Sequence, residues 1–174
     1  MTEDLNNKLT AKFPKLFTGF QRPNGEGYYP FWFECGDGWY TLIEELAKDI
    51  QYHVDHQNDS YTYKVERGEA KEEDRPDYQV RAVQVKQKFG GLRFYINGGC
   101  EYIDGMIAFA ESMSYKICEH CGNAGKTGGD GWIYTFCDPC RELDRKRREE
   151  YNARIEADIA KYRAEQAAKE QQNG

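Results

Sequence analysis

The chain has 174 residues and a formal net charge of −6, with 39% apolar and 31% charged residues. This acidic balance excludes a general attraction to nucleic acid or an anionic membrane, so either partner would require a local basic patch. The start, MTEDLNNKLTAKF, lacks the basic and apolar regions of a secretion signal. No stretch approaches the ~18 apolar residues of a membrane helix. We therefore expect a cytoplasmic protein without a membrane partner, in which six reduced cysteines point to metal before disulfides.

Residues 1–116 are predicted to form an α+β domain with a small antiparallel sheet and two helices. The run YYPFWFE has the aromatic composition of a strand, and the following CGDGW is typical of a turn in which Asp37 caps the next helix. Apolar residues at helical spacing predict that helix from Trp39 to about Val54. Residues 55–77 are polar and acidic, so we expect a mobile loop or an insertion there, and the sequence leaves open whether a partner orders it.

A Gly-Gly pair at 90–91 separates two runs of strand character and predicts a β-hairpin. We expect Phe89 to face Leu92 across the turn and Val85 to face Ile96, because this register gives the hairpin one apolar face. A slip of one residue would mix that face with the polar one. The predicted apolar face contains Val83, Val85, Phe89, Leu92, Phe94 and Ile96.

The opposite face of the hairpin is a candidate binding face, formed by Lys86, Lys88 and Arg93 with Tyr95 beside them. Basic residues interleaved with an aromatic ring suit a phosphate backbone or a stacked base. They suit an acidic protein surface equally well, and a solvated sheet face is the simplest interpretation.

An apolar helical stripe over residues 102–115 leads into ICEHCGNAGKTGGDGWIYTFCDPC at 117–140. The pattern C-x2-C-x15-C-x2-C is a strong signal for a zinc ribbon, because each short loop places two sulfurs on one side of an ion. Four thiolates leave no position for water or substrate, so we expect one structural Zn²⁺ per chain. The predicted ligands are Cys118, Cys121, Cys137 and Cys140.

Other interpretations of the cysteines and histidines stay open. Four unrelated reduced thiols or a redox Cys-x-x-Cys pair would also fit the sequence, and His120 would be an alternative ligand inside the first pair. His53 and His56, with Cys35 and Cys100, would supply donors for a second metal site. Nothing in their spacing requires it, and these two cysteines are more simply buried or loop thiols.

Residues 141–174 form a charged tail of good helix formers. A basic cluster near its start is a candidate phosphate contact, but interleaved acids make a solvated helix the default. This basic cluster comprises Arg145, Lys146, Arg147 and Arg148. A thin apolar seam along the tail predicts packing on the domain or homodimer formation with a second copy, although it is too irregular to assert a coiled coil. The seam comprises Leu143, Tyr151, Ile155, Ile159 and Tyr162.

The motifs CGDGW, QVKQKFGGLRFY, CEHCG and FCDPC, in this order, resemble a group of small zinc-ribbon proteins of unassigned function from phages, prophages and bacteria. The resemblance covers roughly residues 34–140. It implies a small domain with an attached metal ribbon, and it implies neither a reaction nor catalytic residues.

The leading functional hypothesis is a non-enzymatic binding protein, a phage or mobile-element accessory factor that acts on a host protein, including a host defence system, in the host cytoplasm. The expected partner is a host or phage protein. This hypothesis depends on the closed metal site, the absence of a recognisable catalytic motif and the appended helix. The first alternative is a nucleic-acid-binding regulator that uses the ribbon and the candidate binding face. The second is a metalloenzyme with a second metal at His53 and His56.

Overall fold

A computed structural model describes residues 1–21, 28–129 and 131–172. The chain divides into two compact units, Met1–Cys137 and Asp138–Gly174. Within the described residues, the first unit contains the helices α1 (Glu3–Lys12), α2 (Tyr40–Glu66) and α3 (Glu101–Ser114), and the second is the helix α4 (Asp138–Gln172). The prediction of an α+β protein with a long C-terminal helix is confirmed. None of these helices combines the length and the apolar character that crossing a bilayer requires.

Seven short strands in the described part of the first unit form three small sheets. The strands β1 and β2 pair antiparallel, as do β6 and β7. In the central sheet, of order β3-β4-β5, the hairpin β4-β5 is antiparallel as predicted, whereas β3 runs parallel to β4. The strands are β1 Phe20–Gln21, β2 Tyr28–Tyr29, β3 Phe33–Glu34, β4 Arg81–Lys88, β5 Gly91–Asn97, β6 Lys126–Gly128 and β7 Tyr134–Phe136.

The central hairpin keeps the predicted alternation of faces but turns one residue earlier. Lys88 pairs with Gly91, so Phe89 and Gly90 form the two-residue turn, with φ of 53° and 80°. Positive φ at both central residues is what a type I′ turn requires. The pairing partners are thus shifted by two residues from the predicted ones. Because side chains alternate with a period of two, Val85 and its new partner Phe94 still share the buried face.

Two residues leave the predicted apolar face. Phe89 is in the turn, and its ring is 66% exposed. Val83 is exposed because the register is interrupted between Ala82 and Gln84, which places Ala82 in the core instead. A bulge of this kind shifts every residue on one side of it to the other face.

The prediction of a loop at 55–77 is wrong in its first half, because α2 continues without interruption to Glu66. Residues 67–77 then fold back on that helix. Arg75 donates to the Asn58 carbonyl (3.0 Å) and to the Thr62 hydroxyl (3.1 Å), and it pairs with Glu72 (2.6 Å). Predicting the helix end from the polar composition alone failed because a helix that is exposed on most sides has a polar sequence. Asp37 does not cap α2, since its carboxylate accepts the Thr2 N–H (2.6 Å).

The helix α1, which the sequence analysis did not predict, completes the core through a buried amide. Asn6 is 2% exposed, its Nδ2 donates to the Phe31 carbonyl (3.1 Å), and its Oδ1 accepts the Phe33 N–H (3.1 Å). The amide therefore covers the outer edge of β3 as another strand would. At the opposite edge of the sheet, the Ser114 hydroxyl accepts the Leu92 N–H (2.8 Å).

We predict that Asn6→Ala lowers the free energy of unfolding by about 2–4 kcal/mol, because it leaves the backbone groups of Phe31 and Phe33 buried without partners. Urea titration followed by circular dichroism measures the change. The matched control is Asn7→Ala on the same helix, where the side chain is exposed and the expected change is within ~0.5 kcal/mol. Equal stability of the two variants would contradict this role of Asn6.

Candidate metal centre

Backbone hydrogen bonds turn the first Cys-x-x-Cys segment back on itself. The Gly122 N–H donates to the Cys118 carbonyl (2.8 Å), and the Cys118 N–H donates to the Asn123 carbonyl (2.6 Å). Gly122 has φ of 79°, a conformation that only glycine adopts without steric cost. The turn thereby places Cys118 and Cys121 on one tight loop, as their spacing predicts.

The second pair lies where a strand gives way to a helix. Cys137 directly follows β7, and Cys140 is the third residue of α4. Tyr134 and Phe136 are stacked, with ring centroids 4.9 Å apart, so these two alternate residues of β7 share a face.

All four sulfurs lie within 4.8 Å of one another, which confirms the predicted cysteine cluster as a group that can hold a metal ion. The Sγ atoms of Cys121 and Cys137 are 3.6 Å apart. This distance is far from the ~2.05 Å of a disulfide. It is close to the edge, about 3.8 Å, of a tetrahedron built from metal–sulfur bonds of about 2.3 Å. No other group of three or more histidine, cysteine or acidic side chains is as compact in the described part of the chain.

The surroundings of Cys118 favour its thiolate. Burial by itself raises the pKa of the thiol, but hydrogen bonds from the backbone of Cys137, Cys121 and His120 outweigh it and lower the pKa to about 7. Thiolate is the form of cysteine that binds metal, so this backbone arrangement favours the form of Cys118 that a metal ion would require.

The CGDGW segment packs directly against the first cysteine loop, and we call Gly36–Trp39 the docking loop. The Gly38 N–H donates to the Glu119 carbonyl (2.8 Å), and the Gly36 N–H donates to the Glu119 carboxylate (3.0 Å). The buried indole of Trp39 donates to the Ile117 carbonyl (2.9 Å). Burial raises the pKa of Glu119, whereas the Gly36 hydrogen bond acts to lower it.

Two glycines of the docking loop are needed for close approach of two backbones. A Cβ on Gly38 would lie 2.2 Å from the Cys118 carbonyl oxygen and 2.4 Å from the Gly122 nitrogen. A Cβ on Gly36 would lie 2.3 Å from the Glu119 carbonyl oxygen. From the sequence this motif was predicted only as a turn. Its two glycines around an aspartate were the available signal for a close backbone contact.

Residues of the candidate binding face of the hairpin already make contacts within the chain. Arg93 donates to the Tyr115 hydroxyl (2.9 Å), and its guanidinium lies 3.7 Å from the Glu111 carboxylate. The ammonium of Lys86 lies 5.8 Å from the centre of the exposed Tyr95 ring. Lys88 is exposed and lies over the Phe89 ring at 5.4 Å. The role of this face in binding stays a prediction.

The basic cluster of the tail is largely neutralised within α4. Arg145 pairs with Glu142 (2.7 Å) and Glu149 (2.5 Å), and Lys146 also pairs with Glu142 (3.5 Å). Arg148 pairs with Asp144 (2.7 Å). Arg147 and the whole apolar seam are exposed, and pairing of the seam with a second copy stays a prediction.

The structure does not bring His53, His56, Cys35 and Cys100 together as a metal site. Cys35 is in the core, and its burial raises the pKa of the thiol to about 12. His56 is exposed beside Tyr52. His53 and Cys100 do contact each other, with 3.5 Å between Nε2 and Sγ.

A groove between two hairpin tips was not anticipated from the sequence. It has a volume of about 410 Å³, and its principal lining residues are Lys86, Lys88, Phe89, Trp132 and Ile133. We call it the tip groove. Trp132 is 65% exposed. Gln87 donates to the Ile133 carbonyl (2.6 Å) and Thr135 donates to the Gly90 carbonyl (2.6 Å), so the two tips are fastened together.

No family model matches this chain, and no match is found among curated proteins or solved structures. The resemblance to phage and bacterial zinc-ribbon proteins therefore stays a prediction, and the function is inferred from the chemistry of the chain's own residues.

We predict that Gly38→Ala lowers the free energy of unfolding by about 2–4 kcal/mol and weakens metal retention, because the added methyl group would force the docking loop away from the cysteine loop. Urea titration and metal analysis of the purified variant test both effects.

The matched control is Gly105→Ala in the middle of α3, where an added Cβ meets nothing within 4 Å. Alanine costs less conformational entropy in a helix, so this variant should gain roughly 0.5–1 kcal/mol. A Gly38 variant that unfolds and retains metal like the unsubstituted protein would contradict the docking interpretation.

Proposed function

We propose that this protein is a non-enzymatic binding protein whose ribbon is stabilised by one structural Zn²⁺. The observation that carries the proposal is the compact group of four cysteine sulfurs. Four thiolates complete the tetrahedral shell of zinc, so neither water nor substrate has a position on the metal. The strands β6 and β7 and the turn of the first Cys-x-x-Cys segment bury little apolar surface, and metal binding supplies the folding free energy that they lack.

The proposed partner is a protein of the host cell, bound in the host cytoplasm, and the chain acts as a phage or mobile-element accessory factor. The order of the motifs and their resemblance to phage zinc-ribbon proteins support this setting. Inhibition of a host defence protein is the form of action that we favour, since an accessory factor without a reaction of its own acts by occupying its target.

The tip groove is the proposed binding surface. Phe89 and Trp132 are both more than 60% exposed. Aromatic residues are enriched in protein interfaces, and tryptophan in particular is frequent among the hot-spot residues that dominate binding energy. Phe89 also has positive φ, which costs energy for a bulky side chain and is typical of functional positions. Lys86 and Lys88 are the charged residues of the groove, so its partner is an acidic segment that carries a large apolar side chain.

Nucleic acid is the second candidate, and the same exposed rings favour it because bases stack on aromatic side chains. The number of available cations argues against it. Arg93 is held by Glu111 and Tyr115, and Arg145 and Arg148 are paired within α4. Two lysines would neutralise only two phosphates, in a chain whose net charge is −6.

We predict one zinc ion per chain. The Cys118→Ser/Cys137→Ser double variant should lose that ion, because the two substitutions remove one ligand from each cysteine pair. Elemental analysis together with native mass spectrometry gives the stoichiometry. Removing the metal with a chelator should unfold the ribbon, which hydrogen exchange would detect as lost protection over 117–140.

The control for zinc loss is Cys100→Ser, which lies outside the cysteine cluster and should retain one zinc. Two ions per chain, or zinc that persists in the double variant, would overturn the single structural site and return attention to His53 and His56.

We predict that Trp132→Ala weakens binding of the host protein roughly tenfold or more, the magnitude of an interface hot spot. The partner is isolated on the immobilised chain from a host-cell extract, expressed and purified, and its affinity is then measured by calorimetry. Trp32→Ala removes another exposed indole, 47% exposed, outside the tip groove and should leave the affinity unchanged.

The nucleic-acid alternative is tested with single-stranded DNA and RNA at several salt concentrations. Binding that falls steeply with salt and is lost in Lys86→Ala/Lys88→Ala would replace the protein-binding proposal. Arg93 is left intact in this variant because its ion pair with Glu111 is part of the fold. Turnover of any nucleotide or peptide substrate would contradict both proposals.

A further inference from the structure

Cys100 and His53 form a contact that the metal centre and the tip groove do not use. Cys100 is the residue before α3 and is exposed, whereas His53 lies on α2 and is half-buried. The Cys100 Sγ lies 3.5 Å from the His53 Nε2, within hydrogen-bonding range for sulfur. With the ring proton on Nδ1, Nε2 accepts the thiol proton.

Both partners are held in place by their surroundings. The His53 ring stacks on Tyr102, with centroids 4.9 Å apart and planes 28° apart. The Cys100 carbonyl accepts the Asp104 N–H (3.0 Å), which fixes the backbone at the start of α3. Its side chain makes no capping bond to the helix. The sulfur is therefore directed to the imidazole of a neighbouring helix.

We propose that Cys100 and His53 are a reactive thiol–imidazole pair and that Cys100 is a site of covalent modification by small disulfides. In the reaction, the thiol proton moves to His53 Nε2 and the thiolate attacks one sulfur of the reagent. A new S–S bond forms at Cys100 as the S–S bond of the reagent breaks. The departing sulfur leaves with the electron pair and takes the proton from the imidazolium.

The contact and the adjacent space distinguish this cysteine from the other five. Cys35 is buried in the core and has a pKa raised to about 12, so it is inert in the folded protein. The remaining four belong to the cysteine cluster. Beside Cys100 and His53 lies a pocket of about 260 Å³, which admits a small reagent. This site is independent of the proposed binding function.

Several titratable groups line the two pockets that His53 borders, on α2, on α3 and on the segment before β4. They are Asp49, Tyr52, His56, Asp77, Tyr78 and Tyr102. A pH dependence alone would therefore not identify the base, and a comparison of histidine variants is needed.

The experiment treats the full, zinc-loaded chain with 4,4′-dithiodipyridine and locates the modified residues by peptide mass spectrometry. We expect Cys100 to react first and Cys35 to remain unmodified. In His53→Gln, the rate at Cys100 should fall roughly tenfold at pH 7, because the variant lacks the imidazole that takes the thiol proton. At pH 9.5 the two rates should converge, since hydroxide in the solvent then replaces the imidazole as the base.

The matched control is His56→Gln, one turn further along α2, which should leave the rate at Cys100 unchanged at both pH values. Equal rates at pH 7 for the unsubstituted protein and His53→Gln would overturn the proposal. So would equal slowing in the two histidine variants, or faster modification of Cys35 in the unsubstituted protein. The rate at Cys100 is also measured in His53→Ala. Because Cys35 is buried in the folded protein, its modification in His53→Gln or His53→Ala would reveal a folding defect in that variant. The variant in which Cys35 stays unmodified is then the one compared with the unsubstituted protein.

Discussion

The close packing of the docking loop on the first cysteine loop is the constraint on which the rest of this structure depends. Two backbones approach so closely there that Gly38 has no room for a Cβ, and Trp39 anchors the contact with its indole. The contact joins residues that are about eighty positions apart in the chain, Gly36 and Glu119. The first cysteine loop is thereby attached to the hydrophobic core.

The central sheet is small, and side chains from helices cover both of its edges. Asn6 pairs with the backbone on the outer side of β3, and Ser114 and Glu111 accept the N–H groups of Leu92 and Phe94 on the outer side of β5. Open strand edges invite pairing with other chains, so this arrangement keeps a three-stranded sheet from growing. The proposed binding surface accordingly consists of side chains at the tip groove, not of a strand edge.

Short-range regularities in the sequence predicted much of the fold and the cysteine cluster. The spacing of the four cysteines, the helical stripe of α3 and the alternation in the hairpin each depend on neighbours within a few residues. The features that were missed depend on distant contacts. The roles of the Asn6 amide and of the docking-loop glycines are set by contacts with residues that are distant in the sequence. The turn at Phe89 uses a φ that phenylalanine rarely adopts.

Thr135 links the metal centre to the tip groove. Its carbonyl accepts the Glu119 N–H (2.8 Å), next to a cysteine ligand, and its hydroxyl donates to Gly90 at the hairpin turn (2.6 Å). An ion bound by the four cysteines would therefore order the wall of the groove together with the cysteine loops. Thermodynamic reciprocity then applies: a partner that binds only the ordered groove raises the affinity for the ion by the same factor as the ion raises the affinity for the partner. Under the proposed function, the supply of metal in the cell would set how much of the protein is competent to bind.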